Sequence, residues 1–145
     1  MTGYSFADGG QVLIMNYFGV LIQHPDIDPV RISARLGLEP TRMGRSGEPV
    51  ILENGRRTGA NHRWSSWSYF IDFEGEILEQ EVTSLVRKLI PHRLFFEEME
   101  HDGGRIMFIF RVDQNKHTVC SISPDMLLEL SNLKVRLEFE VFKSA

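Results

Sequence analysis

Apolar residues recur along the chain in two periods, and the places where the period changes divide it into elements. The run QVLIMNYFGVLIQ, Gln11 to Gln23, is apolar on both alternating faces and rich in Val, Ile, Phe and Tyr. That pattern predicts a strand in the middle of a sheet. Gly19 within it marks a bulge or the close approach of another backbone. DIDPVRISARLGL then reads as a short helix: Asp28 as N-cap, Pro29 at the first helical position, Ile32 and Leu36 on one face, and Gly37 as a left-handed C-cap.

WSSWSYFIDF returns to a period of two. It sets Trp67, Tyr69, Ile71 and Phe73 on a dry face and Ser66, Ser68, Phe70 and Asp72 on the other. From Glu76 to Ile90, Ile77, Leu78, Val82, Leu85, Val86 and Leu89 recur with helical spacing until Pro91 interrupts. PHRLFFEEMEHDGG predicts a further short helical turn closed by Gly103-Gly104. RIMFIFRVD and HTVCSIS read as two strands around the turn DQNK. SPDMLLELSNL repeats the capped-helix grammar with Ser123, Pro124 and Asn132, and VRLEFEV predicts a last strand with Val135, Leu137, Phe139 and Val141 inward and Arg136, Glu138 and Glu140 outward.

IDPVRISARLGL and ISPDMLLELSNL superimpose at an offset of 95 residues. The echo supports a strand-helix-strand unit near each end of the chain. The expected fold is therefore α+β, one globular domain over 1–145 with 1–9 a flexible N-terminal tail. Helices pack on one face of a mixed or mainly antiparallel sheet, ferredoxin-like in arrangement.

Between the first helix and the Trp-containing strand, Glu39 to His62 has little period of either kind, and a structureless loop of that length is unusual inside a compact domain. VILENGRRT resolves this by predicting a hairpin arm, with Asn54-Gly55 as a type I′ turn signal. Charge concentrates in the same region. The whole chain of 145 residues has a net charge of -4, but the window from Arg31 to Arg63 holds seven arginines, no lysine and three acids, so it carries +4. Arginine binds carboxylate or phosphate through a planar two-pronged fork. Arg42, Arg45, Arg56, Arg57 and Arg63, with Trp64 at the entrance to the next strand, are the candidate binding residues. The plainer reading is that these arginines neutralise the protein's own acids. Trp67 continues the core alternation and belongs inside.

Other constellations fail on spacing. HPDID, His24 to Asp28, has a histidine and two carboxylates, but Asp28 is accounted for as an N-cap and Asp26 as turn chemistry. His62, His92, His101 and His117 show no short ligand spacing. GRSGE has Gly47 one position too early for a nucleophile elbow, and GRRTGAN lacks the ending of a phosphate-binding P-loop. Glu79-Glu81, Glu97-Glu98 and Glu138-Glu140 fall on polar faces. No catalytic residue, metal or cofactor is expected. Cys120 is the single cysteine and is expected to be buried and inert, as suits a reducing cytoplasm. The N-terminus lacks a basic and apolar leader, and the longest apolar runs fall short of the roughly 18 residues of a membrane span.

Together, DPVRISARLGLEPTRMGRSGEP, WSSWSYF and SPDMLLELSNLKVRLEFEVF resemble the bacterial domain-of-unknown-function family 4279. The resemblance rests on Gly37, Leu38, Pro40, Thr41, Gly47, Trp64, Trp67, Ser123 and Pro124 and covers nearly the whole chain. Where the family often has an aromatic in the arginine-glycine loop, this chain has Met43 and Gly44. The resemblance implies a small bacterial cytoplasmic protein and supplies no catalytic residues.

The leading functional expectation is a non-enzymatic binding module whose arginine loop engages an acidic protein surface or an anionic ligand, by analogy with immunity proteins. The alternative is a small-molecule sensor or enzyme with a pocket between the loop and the sheet, His62 or Asp72 titrating. Nucleic-acid binding ranks third, lacking an RNA-binding motif, and no membrane association is expected. A homodimer through the outer sheet face would use Phe70, Met107 and Ile109.

Overall fold

The computed structural model describes residues 16–77 and 79–144. The expected tail, the first part of the expected opening strand and Leu78 lie outside that range. In chain order the elements are β1 (Asn16–His24), α1 (Pro29–Leu36), β2 (Arg42–Gly44), β3 (Pro49–Ile51), β4 (Arg57–Asn61), β5 (Ser65–Phe73), α2 (Glu79–Leu89), α3 (Arg93–His101), β6 (Arg105–Asp113), α4 (Pro124–Asn132) and β7 (Arg136–Phe142). A 3-10 turn, Ile90–His92, joins α2 to α3 at Pro91.

Five strands form one sheet in the order β2-β5-β1-β6-β7, and β3 pairs with β4 separately. β1 is central, antiparallel to β5 on one side and to β6 on the other. β2 runs antiparallel to β5, and β7 runs parallel to β6, so the sheet is mixed. β1 and β2 are consequently parallel around β5, with α1 as their crossover, and β6 and β7 are parallel neighbours joined through α4. A four-stranded ferredoxin-like pattern accounts for neither β7 nor the β3–β4 hairpin.

The four helices of the described residues cover one face. Phe18, Val20 and Ile22 of β1, Trp67 of β5 and Ile106, Phe108 and Phe110 of β6 meet Ile32, Leu36, Val82, Leu85, Phe96 and Leu130 in the main core. The Trp67 indole is wholly buried, and its Nε1–H donates to Ser33 Oγ of α1 at 2.9 Å, which fixes the helix over the sheet. On the opposite face Leu21, Met107 and Ile109 are buried with Phe70 against them. The surface expected to be uncovered there, and to serve a homodimer, is therefore not open at Met107 or Ile109.

The local expectations for α1 hold. The Asp28 side chain accepts from Val30 N–H, Pro29 opens the helix, and Gly37 closes it at φ 66°. Gly19 marks a close approach without a bulge: a Cβ there would stand 2.0 Å from the Tyr69 carbonyl oxygen and 2.8 Å from Phe70 Cα.

Three expectations change. HTVCSIS is not a strand, because both edges of β6 are already taken by β1 and β7. A parallel β7 requires the chain to travel back along the sheet, and 114–123 makes that return, with half-buried Cys120 and Ile122 against the core. Burial pushes the Cys120 thiol pKa up. Asn132 is not the left-handed cap. α4 ends in a Schellman motif with Val135 N–H on Leu130 O and Lys134 N–H on Ser131 O, and Lys134 takes the left-handed position at φ 61°. Finally, Leu137, Phe139 and Val141 do lie on the helix side of the sheet, but on an edge strand that the helices leave largely uncovered, so they are exposed.

Two stability changes of opposite sign follow. Gly19→Ala should destabilise the protein by about 1–3 kcal/mol through overpacking of β1 against β5. Lys134→Gly should stabilise it by about 0.5–1 kcal/mol, because only the lysine pays the steric cost of that φ. Urea denaturation of both variants against the parent reads both.

Candidate functional site

The arginine segment is an ordered arm anchored on the sheet edge. Leu38 packs back on the core after the Gly37 cap. Thr41 then ties the chain to β5: its N–H donates to Ser68 O at 2.7 Å, and its hydroxyl accepts from Phe70 N–H at 2.9 Å. Arg42 to Gly44 pair as β2 with Ser68 to Ser66. A turn follows, Glu48 N–H to Arg45 O at 3.1 Å with Gly47 at φ 85°. Gly47 N–H to His62 O and His62 N–H to Glu48 O then close the base of the hairpin. Ser46 binds both returning residues, its N–H donating to Ser65 Oγ and its hydroxyl to Arg63 O.

The far end of the hairpin is not the expected type I′ turn, which needs positive φ at both central residues. Only Gly55 is left-handed there, at φ 83°. Gly55 N–H donates to Leu52 O and Leu52 N–H to Arg56 O, the pattern of a type I turn with a glycine bulge. Asn54 instead uses its side-chain oxygen to accept Arg56 N–H at 2.9 Å. Every residue of β4 is exposed, so the arm stands in solvent.

The arm divides the arginines. Arg42 ion-pairs with Glu53 from across the arm, and Arg45 Nη1 lies 3.4 Å from Oδ2 of Asp28, the N-cap of α1. These two are held by the protein's own acids. Arg56, Arg57 and Arg63 are exposed and enter no ion pair among the described residues. Arg63 sits at the base of the arm beside Trp64, which is 45% exposed, while Arg56 and Arg57 sit at its far end. The structure thus brings Arg45, Arg63 and Trp64 to the base through the Ser46 contacts. Arg56 and Arg57 belong to a separate, distal pair.

His62 and Asp72 do not form one site. The His62 ring lies against Gly44, where a Cβ would stand 2.7 Å from the imidazole, and it fills the space between arm and β2. Asp72 is exposed near the opposite end of β5, about 20 Å from Ser66 by strand rise. In HPDID, His24 Nδ1 accepts the N–H groups of Asp26 (3.1 Å) and Ile27 (3.0 Å), so its lone pair holds the turn into α1. Among the described residues no three His, Cys, Asp or Glu side chains are grouped to hold a metal ion. Nor, among the described residues, is any helix long and apolar enough to cross a membrane.

Two polar residues carry more structure than their sequence positions suggest. Arg111, buried at the outer end of β6, lies over the rings of Phe142 (4.5 Å) and Tyr17 (5.7 Å), with Glu140 at 3.7 Å. Its signal was a charge in the Met107 and Ile109 phase of an otherwise apolar strand. Asp113 ends β6 beside a cleft of about 320 Å³ lined by Asn16, Phe73, Lys116 and Phe142. Its carboxylate accepts from Asn115 N–H and Ser144 N–H, and its own N–H donates to Asn16. The Asn115 N–H, followed by Ser144, holds the Asp113 carboxyl below the ordinary range.

Fold and site define an α+β protein with its helices on one face of a mixed sheet and a cationic hairpin arm on one edge. The chain belongs to the family described as a domain of unknown function (DUF4279), which matches residues 16–142. No curated protein and no solved structure matches it. The residues that carried the resemblance now have physical roles: Gly37 as a cap, Thr41 as the tie to β5, Gly47 in the arm's first turn, Trp67 in the core and Ser123 capping α4.

A depressed native carboxyl pKa stabilises the fold above the unfolded value, near pH 4, and that contribution disappears as pH falls through the native value. Asp113→Asn should therefore lower the melting temperature at pH 7, and the difference from the parent should shrink towards zero near pH 2. A gap that stays constant across this range would rule out a contribution from the Asp113 charge.

Proposed function

We propose that this chain is a small bacterial, cytoplasmic, non-enzymatic interaction module whose hairpin arm engages an acidic protein surface or an anionic ligand. The observation that carries this reading is the division of the arginines. Arg42 and Arg45 satisfy internal acids, whereas Arg56, Arg57 and Arg63 are exposed on a solvated arm with no acid of the described chain to neutralise them. Surface arginines without partners contribute little to folding, yet they form strong charge-assisted pairs with an incoming carboxylate or phosphate. Trp64 beside Arg63 adds a flat apolar surface of the kind enriched at interface centres.

A shallow charged arm favours a macromolecular surface over a buried small substrate. The single half-buried cysteine suits a reducing compartment. The immunity-protein analogy agrees with this chemistry, since such modules neutralise a partner by covering it.

Poly-L-glutamate serves as an acidic-surface probe and inorganic phosphate as the small-anion probe. The triple variant Arg56→Ala, Arg57→Ala, Arg63→Ala should weaken poly-L-glutamate binding by at least about tenfold and flatten its salt dependence. Arg42→Ala with Arg45→Ala should lower the melting temperature while leaving more of the binding intact. Binding of both probes that is unchanged in the triple variant would refute the assignment.

A further inference from the structure

The two edges of the main sheet are built differently. β2 is three residues long and its outer side leads into the arm. β7 runs seven residues with a continuous register against β6, and among the described residues nothing pairs to its far side. It contains no proline, no lysine and no bulge, and its charged residues, Arg136, Glu138 and Glu140, all lie on the solvated face rather than in the apolar row. Leu137, Phe139 and Val141 are 37%, 60% and 59% exposed in one row, and the Phe139 ring is stacked on buried Phe110 at 5.5 Å with its other side open.

Among the described residues the main chain is open at the same positions. Phe142 O accepts from Gln114 N–H, on the side of β6. Because in-plane groups alternate along a strand, Leu137, Phe139 and Val141 direct their N–H and C=O groups to the free edge. This edge therefore offers a ladder of donors and acceptors beside a row of apolar side chains.

We propose that β7 pairs antiparallel with β7 of a second copy of this chain, joining the two sheets across a twofold axis. Strand overlap and the charges on the solvated face together select the register: an axis at Leu137 would set Arg136 opposite the partner's Glu138 but pair only Arg136 to Glu138 of β7, which begins just after left-handed Lys134. With the axis at Glu138, Arg136 faces the partner's Glu140 twice, and Leu137 faces the partner's Phe139 twice. With the axis at Phe139, Glu138 would face the partner's Glu140 twice, and like charges directly opposite are destabilising. The first register keeps one Glu138 pair at the axis, diagonal to the arginines. It also sets the outward-directed main chain of Leu137 opposite that of the partner's Phe139, as an antiparallel ladder requires.

This surface lies on the opposite sheet edge from the arm and does not depend on the anion-binding reading. Sedimentation equilibrium from about 5 to about 200 μM should show a monomer–dimer transition for the parent chain. Phe139→Lys, at an exposed position, should keep the parent's circular dichroism and raise the dimer dissociation constant by at least about tenfold. Leu137→Lys should act in the same direction and serves if the first variant is unfolded.

The register has its own readout. In a Cys120→Ser background, Glu138→Cys should form a disulfide-linked dimer on mild oxidation, since residues opposite across a non-hydrogen-bonded pair come within disulfide reach, and Phe139→Cys should not. A parent chain that stays monomeric throughout the range would overturn the proposal. So would a dimer that folded Phe139→Lys and Leu137→Lys leave intact. Crosslinking of Phe139→Cys in place of Glu138→Cys would overturn the register.

Discussion

The structure depends on β1 being enclosed on four sides. β5 and β6 occupy both hydrogen-bonding edges, and both faces are covered, with Phe18, Val20 and Ile22 wholly buried on the helix side and Tyr17 and Leu21 nearly so on the other. Since strand side chains alternate with a period of two, a slip of one residue against either neighbour would carry phenylalanine to the wrong layer. Gly19 reinforces the constraint, because the Tyr69 carbonyl occupies the space a side chain would need. The place of every other element follows from this strand. The position of β2 on β5, and with it the point where the arm leaves the sheet, is set by the register β5 keeps with β1.

What was legible in the sequence was what is decided locally. Asp28, Pro29 and Gly37 end α1 where their side chains and backbone freedom dictate, and the alternation around Trp67 names its buried face correctly. Partners distant in the chain were not legible. That Arg45 meets Asp28 and Arg42 meets Glu53 depends on how the arm folds back over α1 and onto itself, which no periodicity encodes. Apolar alternation in β7 looked like an inward face because pattern reports which residues share a side and not whether anything lies above them. HTVCSIS has a strand's composition but reaches a sheet with no free place beside β6.

The same non-local pairing redraws the protein's charge. A window that reads as +4 in sequence is reduced in space where Asp28 approaches from α1 and Glu53 answers Arg42. The positive charge free to act outward is displaced from β2 towards the tip and base of the hairpin. Arg111 shows the converse, a cation drawn inside among Tyr17, Phe142 and Glu140, where it closes the outer end of the sheet and presents little to solvent.

The arm leaves the sheet at Gly44 and re-enters at Ser65, and Gly44 is directly paired with Ser66. The chain thus departs and returns at adjacent points, so β2 and β5 form the two legs of a hairpin whatever stands between them. A segment inserted at such a point adds no strain to the layer beneath it, and the cost of lengthening it grows only with the logarithm of its length. The scaffold is in this sense a socket: its α+β body can carry arms of different length and charge with no change to a residue of the core.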